Sequence, residues 1–206
     1  MIPFEEKMSR GGGAAIEEAS RFFMKQGPVF EALHRIAAKL EELKIPYAIA
    51  GGMALVAHGY DRNTVDVNVL VTPEGLQEIF RAVDGLDHVS CARARQLRDV
   101  ETCVRIGFLV SGEYPGDGKP KPVAFPDPAD VAVEIDGIRY LGLPTLVELK
   151  LASGMTNPGR LKDLADVQEL IRVLKLTREF GGKVNAYVRG RFEELHQAVE
   201  NDRSAE

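Results

Sequence analysis

Apolar and polar residues follow one another along this chain with two different periods, and the switches between them outline its elements. Phe30, Leu33, Ile36, Ala37, Leu40 and Leu43 recur every three or four positions, which predicts an amphipathic helix with Pro28 as its first residue. Ile45-Pro46 ends it, and Tyr47 to Ala50 predicts a short apolar strand. Gly51-Gly52 breaks the pattern before a short helix over 53–58, stopped by Gly59. The β-branched run 65–71 predicts a second strand. Thr72-Pro73-Glu74 then opens a helix with Leu76, Ile79, Phe80 and Val83 on its buried face. A third strand is predicted over 104–110. Asp136-Gly137, between the apolar runs 131–135 and 138–141, is the strongest hairpin signal in the chain. Helices follow from 144 to 152, 161 to 174 and 184 to 199, with a break at Gly181-Gly182.

This order predicts a small mixed sheet covered by helices, with a helical C-terminal third. Upstream, the first dozen residues, ending in Gly11-Gly12-Gly13, read as frayed, and a helix follows through Ile16, Phe22 and Phe23. The expected organisation is a partly flexible N-terminal extension over 1–27, a main domain over 28–175 and a C-terminal helical segment over 176–206. The stretch 111–122 is dense in turn residues, and so long a loop inside a compact domain is usually functional or mobile. Its Lys119 and Lys121 are candidates to cover a bound phosphate.

Composition narrows the class. With 206 residues, 45% of them hydrophobic and 28% charged, the chain is neither disordered nor fibrous. A net charge of −5 provides no global field for nucleic acid, which leaves only a local basic groove for such a partner. Cys91 and Cys103 are too few for a disulfide framework and lack metal-ligand spacing, so they read as free thiols in a reducing compartment. The N-terminus carries early acids and does not read as a signal peptide, and no run approaches a membrane span. The expected location is the cytoplasm, with no membrane partner.

Candidate chemistry lies in the segment 48–71, AIAGGMALVAHGYDRNTVDVNVLV. Side chains alternate faces along a strand, so Asp66 and Asn68 share one face while Val65, Val67 and Val69 turn to the core. The two glycines let backbone amides approach a triphosphate, and the helix beginning near Met53 adds a favourable dipole. His58, in that helix, reads as a packed or capping residue. The other histidines form no ligand cluster.

The segment resembles the DNA polymerase beta-like nucleotidyltransferase superfamily. The features that carry the resemblance are Gly51-Gly52, then Asp66-Val67-Asn68-Val69, with Arg62 and Thr64 just before. Leu146 to Lys150 and Arg160 to Asp166 resemble the downstream segment of small bacterial members, toxin-type enzymes included, so the likeness spans about residues 29–175. It implies an α/β (α+β) fold with a nucleotidyltransferase-type small mixed sheet, packed helices and a helical C-terminal region. It also implies three carboxylates that hold two Mg²⁺ ions, which clamp the triphosphate and activate the acceptor hydroxyl. On this resemblance Asp66 is the catalytic and metal-binding residue. Gly51, Gly52, Arg62, Thr64, Asn68 and Lys150 are the nucleotide contacts.

The sequence departs from that pattern twice. Asn68 stands where the second acid belongs, and Gly107 stands where the third is placed. An amide oxygen is a weaker Mg²⁺ ligand than a carboxylate, and glycine offers no side chain. The expectation is a nucleotidyltransferase-fold protein that binds a nucleoside triphosphate, with nucleotidyl transfer impaired or lost and Mg²⁺ weakly held or absent without nucleotide. The alternative is an active transferase that moves a nucleoside monophosphate to a hydroxyl acceptor using Asp66 and one Mg²⁺ held largely by the triphosphate. A replacement carboxylate from Glu113 or Glu134 would favour it. A third reading is a non-catalytic interaction protein. The acceptor class (nucleic acid, protein or small molecule) is open, and so is a homo-oligomer.

Overall fold

The computed structural model describes residues 2–82, 88–91 and 95–205. Its centre is a seven-stranded mixed sheet. The strands are β1 (Tyr47–Ala50), β2 (Asp66–Val71), β3 (His88–Cys91), β4 (Gln96–Asp99), β5 (Arg105–Val110), β6 (Ala132–Ile135) and β7 (Ile138–Leu141). They lie in the order β3-β4-β5-β2-β1-β7-β6. β1 runs antiparallel to β2 and parallel to β7, and β2 runs parallel to β5. β1 is buried at all four positions, as expected of a central strand covered on both faces. β5 instead alternates, with Ile106, Phe108 and Val110 buried and Arg105, Gly107 and Leu109 half-buried.

The helices are α1 (Phe4–Ser9), α2 (Gly12–Phe23), α3 (Pro28–Glu42), α4 (Gly51–Ala57), α5 (Pro73–Ala82), α6 (Pro128–Val131), α7 (Leu143–Thr156), α8 (Leu161–Leu174) and α9 (Ala186–Ala205). None among the described residues is long and apolar enough to cross a membrane. α3 starts at Pro28, where a proline sacrifices no helical hydrogen bond, and ends at Glu42, two residues before Lys44 turns the chain with a left-handed φ of 55°. Its Leu33, Ile36 and Leu40 are fully buried, each contributing about 1.5–3 kcal/mol of transfer free energy. α5 is capped by Thr72, whose hydroxyl oxygen accepts from the Gly75 amide at 3.0 Å. The hairpin of β6 and β7 closes through Asp136 and Gly137, both at positive φ, the backbone that a tight two-residue hairpin turn requires.

Several expectations change in detail. The N-terminal dozen residues contain α1, whose Phe4 is buried and whose Phe4 amide donates to the Cys103 carbonyl at 3.2 Å. α4 begins at Gly51, so both glycines lie inside its first turn instead of before it. Val131 closes α6 and is not part of the strand. α7 runs on to Thr156, and its Gly154 lets α8 come close, a Cβ there falling 2.6 Å from Leu164 Cγ. β3 and β4 form an antiparallel pair that the hydrophobic pattern did not indicate. Val83 lies outside the described residues.

Candidate functional site

The site is assembled where β1 turns into α4. Ala50 is paired with Asn68, so the chain leaves β1 directly over the polar edge of β2. Gly51 adopts φ +63°, and a Cβ there would lie 2.9 Å from Asn68 Nδ2. A Cβ on Gly52 would fall 2.6 Å from Thr64 Cβ. Neither position has room for a side chain, which is the local reason for the Gly-Gly pair. The turn therefore rests directly on the residues read as nucleotide contacts.

On β2, Val67 and Val69 are fully buried, and Asp66 and Asn68 lie on the opposite, half-exposed face. β5 extends that face. Its Arg105 is the strand partner of Asp66, and its Gly107 is the partner of Asn68. A Cβ on Gly107 would meet Asn68 Oδ1 at 3.0 Å and no other atom within 4 Å. Both Asp66 oxygens are engaged. Thr64 Oγ1 donates to Oδ1 at 3.0 Å, and Arg105 Nη2 donates to Oδ2 at 2.6 Å. The Asp66 side chain is 19% exposed and that of Arg105 42%. Sequence reasoning passed over Arg105, although its spacing of two from Gly107 places it on the same face.

This donor set does not fit a pair of divalent cations. The face offers one carboxylate already held by a guanidinium, one neutral amide and a glycine. Among the described residues, no three His, Cys, Asp or Glu side chains converge to hold a metal. Of the acids considered as replacements for the missing ones, Glu113 is paired with Arg95. Glu134 sits on the edge strand β6, opposite Arg139.

The remaining nucleotide candidates gather elsewhere. Lys150, on α7, is 7% exposed, and its Nζ lies 3.0 Å from Asp163 Oδ1 and 2.7 Å from Asp166 Oδ2 on α8. Ser153 Oγ and Arg160 Nε both donate to Asp163 Oδ2, at 2.7 and 2.9 Å. Arg62 Nε lies 3.1 Å from Asp166 Oδ1. Burial pushes the Asp163 carboxyl up, but the Lys150 charge, the Ser153 hydroxyl and Arg160 outweigh it and hold the group below its ordinary value. The structure thus brings Gly51, Gly52, Thr64, Asp66 and Asn68 together, and it ties Arg62 and Lys150 to α8. The two groups meet through the short segment from Arg62 to Asp66.

Other candidates have structural partners. Lys121 Nζ donates to the Pro115 carbonyl at 2.6 Å inside its own loop. That loop is moored to the end of α7, where Asn157 Nδ2 donates to the Gly116 carbonyl at 3.1 Å. His58 Nε2 pairs with the Leu141 carbonyl at 2.7 Å, and Cys103 is a buried free thiol.

No family model matches this chain, and no curated protein matches it. Among solved structures it is similar to ANT(2")-Ia in complex with adenylyl-2"-tobramycin, with a TM-score of 0.50 and 14% identity over 84% of this chain and 97% of that one. A Helicobacter pylori protein described as a nucleotidyltransferase aligns with a TM-score of 0.46 and 14% identity, over 85% and 96% of the two chains. One from Thermotoga maritima aligns with a TM-score of 0.41 and 16% identity, over 68% and 91%. The chain has the fold of ANT(2")-Ia, a nucleotidyltransferase-type fold.

Proposed function

We propose that the chain binds a nucleoside triphosphate at the Gly51-Gly52 turn and that nucleotidyl transfer is impaired or lost. The observation that supports this reading is the packing of the turn against Thr64 and Asn68, beside an aspartate whose charge is already matched within the protein. The turn presents backbone amides where side chains are sterically excluded, an arrangement suited to phosphate oxygens. Thr64 and Asn68 contribute neutral polar groups. Arg62, at the edge of the buried cluster, contributes positive potential. That cluster sets three cations, Arg62, Lys150 and Arg160, against two carboxylates, Asp163 and Asp166. Lys150 acts there as a positioning residue, holding α8 and, through Asp166, Arg62.

Transfer needs a group to take the acceptor proton and a cation to bear the charge of the leaving pyrophosphate. Asp66 is committed to Thr64 and Arg105, and Asn68 and Gly107 offer no second base. ANT(2")-Ia is bound to adenylyl-2"-tobramycin, but at 14% identity that acceptor does not transfer to this chain.

Calorimetric titration with ATP, GTP, CTP and UTP, with and without Mg²⁺, tests the proposal, together with a radiolabel assay for nucleotide transfer. Saturable binding of at least one triphosphate without turnover is the expected result. Turnover that is lost in Asp66→Asn would establish the active-transferase reading. Absence of binding to all four would leave the non-catalytic interaction protein.

A further inference from the structure

Where the resemblance implies three acids, the site holds one acid and a cation. Arg105 lies beside Asp66 in the parallel pair of β2 and β5, and its Nη2 is 2.6 Å from Asp66 Oδ2. We propose that Arg105 is a protein-borne replacement for the divalent cation of this fold, so that the site takes a polyphosphate anion in metal-free form. The part concerning polyphosphate rests on the nucleotide-binding reading above, whereas the part concerning Arg105 and Asp66 does not.

The case is geometric. A divalent ion bound to Asp66 would compete with a guanidinium on one oxygen and a threonine hydroxyl on the other. Its charge would be repelled by Arg105, fixed on the neighbouring strand. Asn68 and Gly107 supply no negative charge to offset this. A guanidinium is always charged, presents five donors and matches phosphate oxygens in pairs. Among the described residues, the Arg105 side chain makes a single hydrogen bond, the one to Asp66, and is 42% exposed. Donors therefore remain for an incoming phosphate.

The neighbouring strand gives an internal contrast. Arg98 on β4 is directly opposite Arg105, and opposed side chains share a face. Yet Arg98 is more heavily engaged, with three hydrogen bonds against one. It donates to both Glu5 oxygens, at 3.0 and 2.7 Å, and to the Cys103 carbonyl at 2.7 Å. Of two arginines on one row of the sheet, one is consumed in anchoring α1 and the other is left with capacity beside the glycine turn. Gly107, next to Arg105 on the same face, leaves that side of Asn68 clear.

Two measurements test the inference. The first contains no nucleotide: Mn²⁺ binding followed by electron paramagnetic resonance. The wild-type protein is expected to bind no ion at Asp66. Restoring acids with Asn68→Asp and Gly107→Asp should give a weak site. Adding Arg105→Gln should tighten it by about 10-fold or more, since close like charges are worth at least one decade. Adding Arg98→Gln instead, which deletes the same charge without freeing Asp66, should have a much smaller effect. Equal gains from the two arginine variants, or no gain from Arg105→Gln, would overturn the proposed role. Arg105→Gln in the otherwise wild-type chain provides the comparison should the triple variant not fold.

The second measurement titrates ATP and inorganic tripolyphosphate into the wild-type protein in EDTA and in Mg²⁺. Binding is expected in EDTA, with no requirement for metal. Arg105→Gln should weaken it by about 10- to 150-fold and Arg105→Lys by less, because the charge survives while the paired donors do not. Binding that appears only with Mg²⁺ would overturn metal independence while preserving the nucleotide-binding reading. No binding in either buffer would overturn both, and the Mn²⁺ series would still decide whether Arg105 holds the cation position.

Discussion

Two clusters of opposed charge lie at either end of the segment from Arg62 to Asp66, and they are built on opposite principles. In the α7–α8 cluster each carboxylate oxygen of Asp163 and Asp166 has at least one donor or cation, and Lys150, Asp163 and Asp166 are all less than 9% exposed. On the sheet face, Asp66 and Arg105 form a pair in which the cation stays 42% exposed. Burial makes the first cluster mutually obligatory, because removing one partner leaves a desolvated charge without compensation. Exposure makes the second exchangeable, because water can replace either partner, and an anion can replace the carboxylate on the arginine, at small cost. Opposed charges thus form a closed clamp in one place and a part-exposed pair in the other. The contrast explains why the lysine that the family resemblance assigns to the triphosphate is here bonded to α8.

The comparison can be broken most sharply at Lys150. Lys150→Ala is expected to destabilise the fold by about 3–5 kcal/mol, since it removes the buried cation that two buried aspartates share. Urea denaturation followed by circular dichroism measures this, and a midpoint close to wild type would show that the cluster is not closed. Replacing Lys150, Asp163 and Asp166 together with apolar residues of similar volume should recover much of the loss.

Gly52→Val comes next. Its Cβ would sit 2.6 Å from Thr64 Cβ, and Thr64 is held by its hydrogen bond to Asp66. The expected cost is about 1–3 kcal/mol of stability, as for other overpacked sites, together with loss of triphosphate binding. Unchanged triphosphate affinity in the folded variant would place the ligand away from the turn.

A smaller effect should appear in acid. The Asp163 carboxyl is held below its ordinary value of 3.8, against its burial, by Lys150, Ser153 and Arg160. A depressed folded value contributes stability that is fully present above the unfolded value and is lost as pH falls through the folded one. Wild-type stability should therefore fall more steeply below about pH 4 than that of Asp163→Asn. Parallel denaturant series from pH 5 to pH 2 would show the difference in slope. Identical slopes would show that Asp163 titrates normally.

The least effect on stability is expected at Arg105. Arg105→Gln should shift the unfolding free energy by less than about 1 kcal/mol, as is usual for partly exposed ion pairs. A loss comparable to that of Lys150→Ala would make the Asp66–Arg105 pair a structural clamp and remove the distinction between the two regions.

What the sequence determined alone is what depends on local periodicity and turn chemistry. The face of α3 carrying Leu33, Ile36 and Leu40, the start at Pro28, the Asp136-Gly137 hairpin and the bounds of α8 all follow from residues close in sequence. So does the shared face of Asp66 and Asn68, because the two-residue period of a strand needs no partner to establish it. The resemblance set Gly107 at the position of the third acid, and only strand register pairs it with Asn68. Other features were legible only in three dimensions. α1 is amphipathic over too short a span to announce itself, and it is held by Phe4 and by Glu5 on Arg98, 93 positions away. Lys150 reads as a ligand contact along the chain and becomes a buried clamp only when α8 docks on α7 and supplies Asp163 and Asp166. Arg105 reads as an ordinary charge at a strand edge until parallel pairing sets it against Asp66, 39 positions away. A charge has no fixed role until its partners are known, and the partners of these residues are chosen by register and helix docking, which are properties of the whole fold.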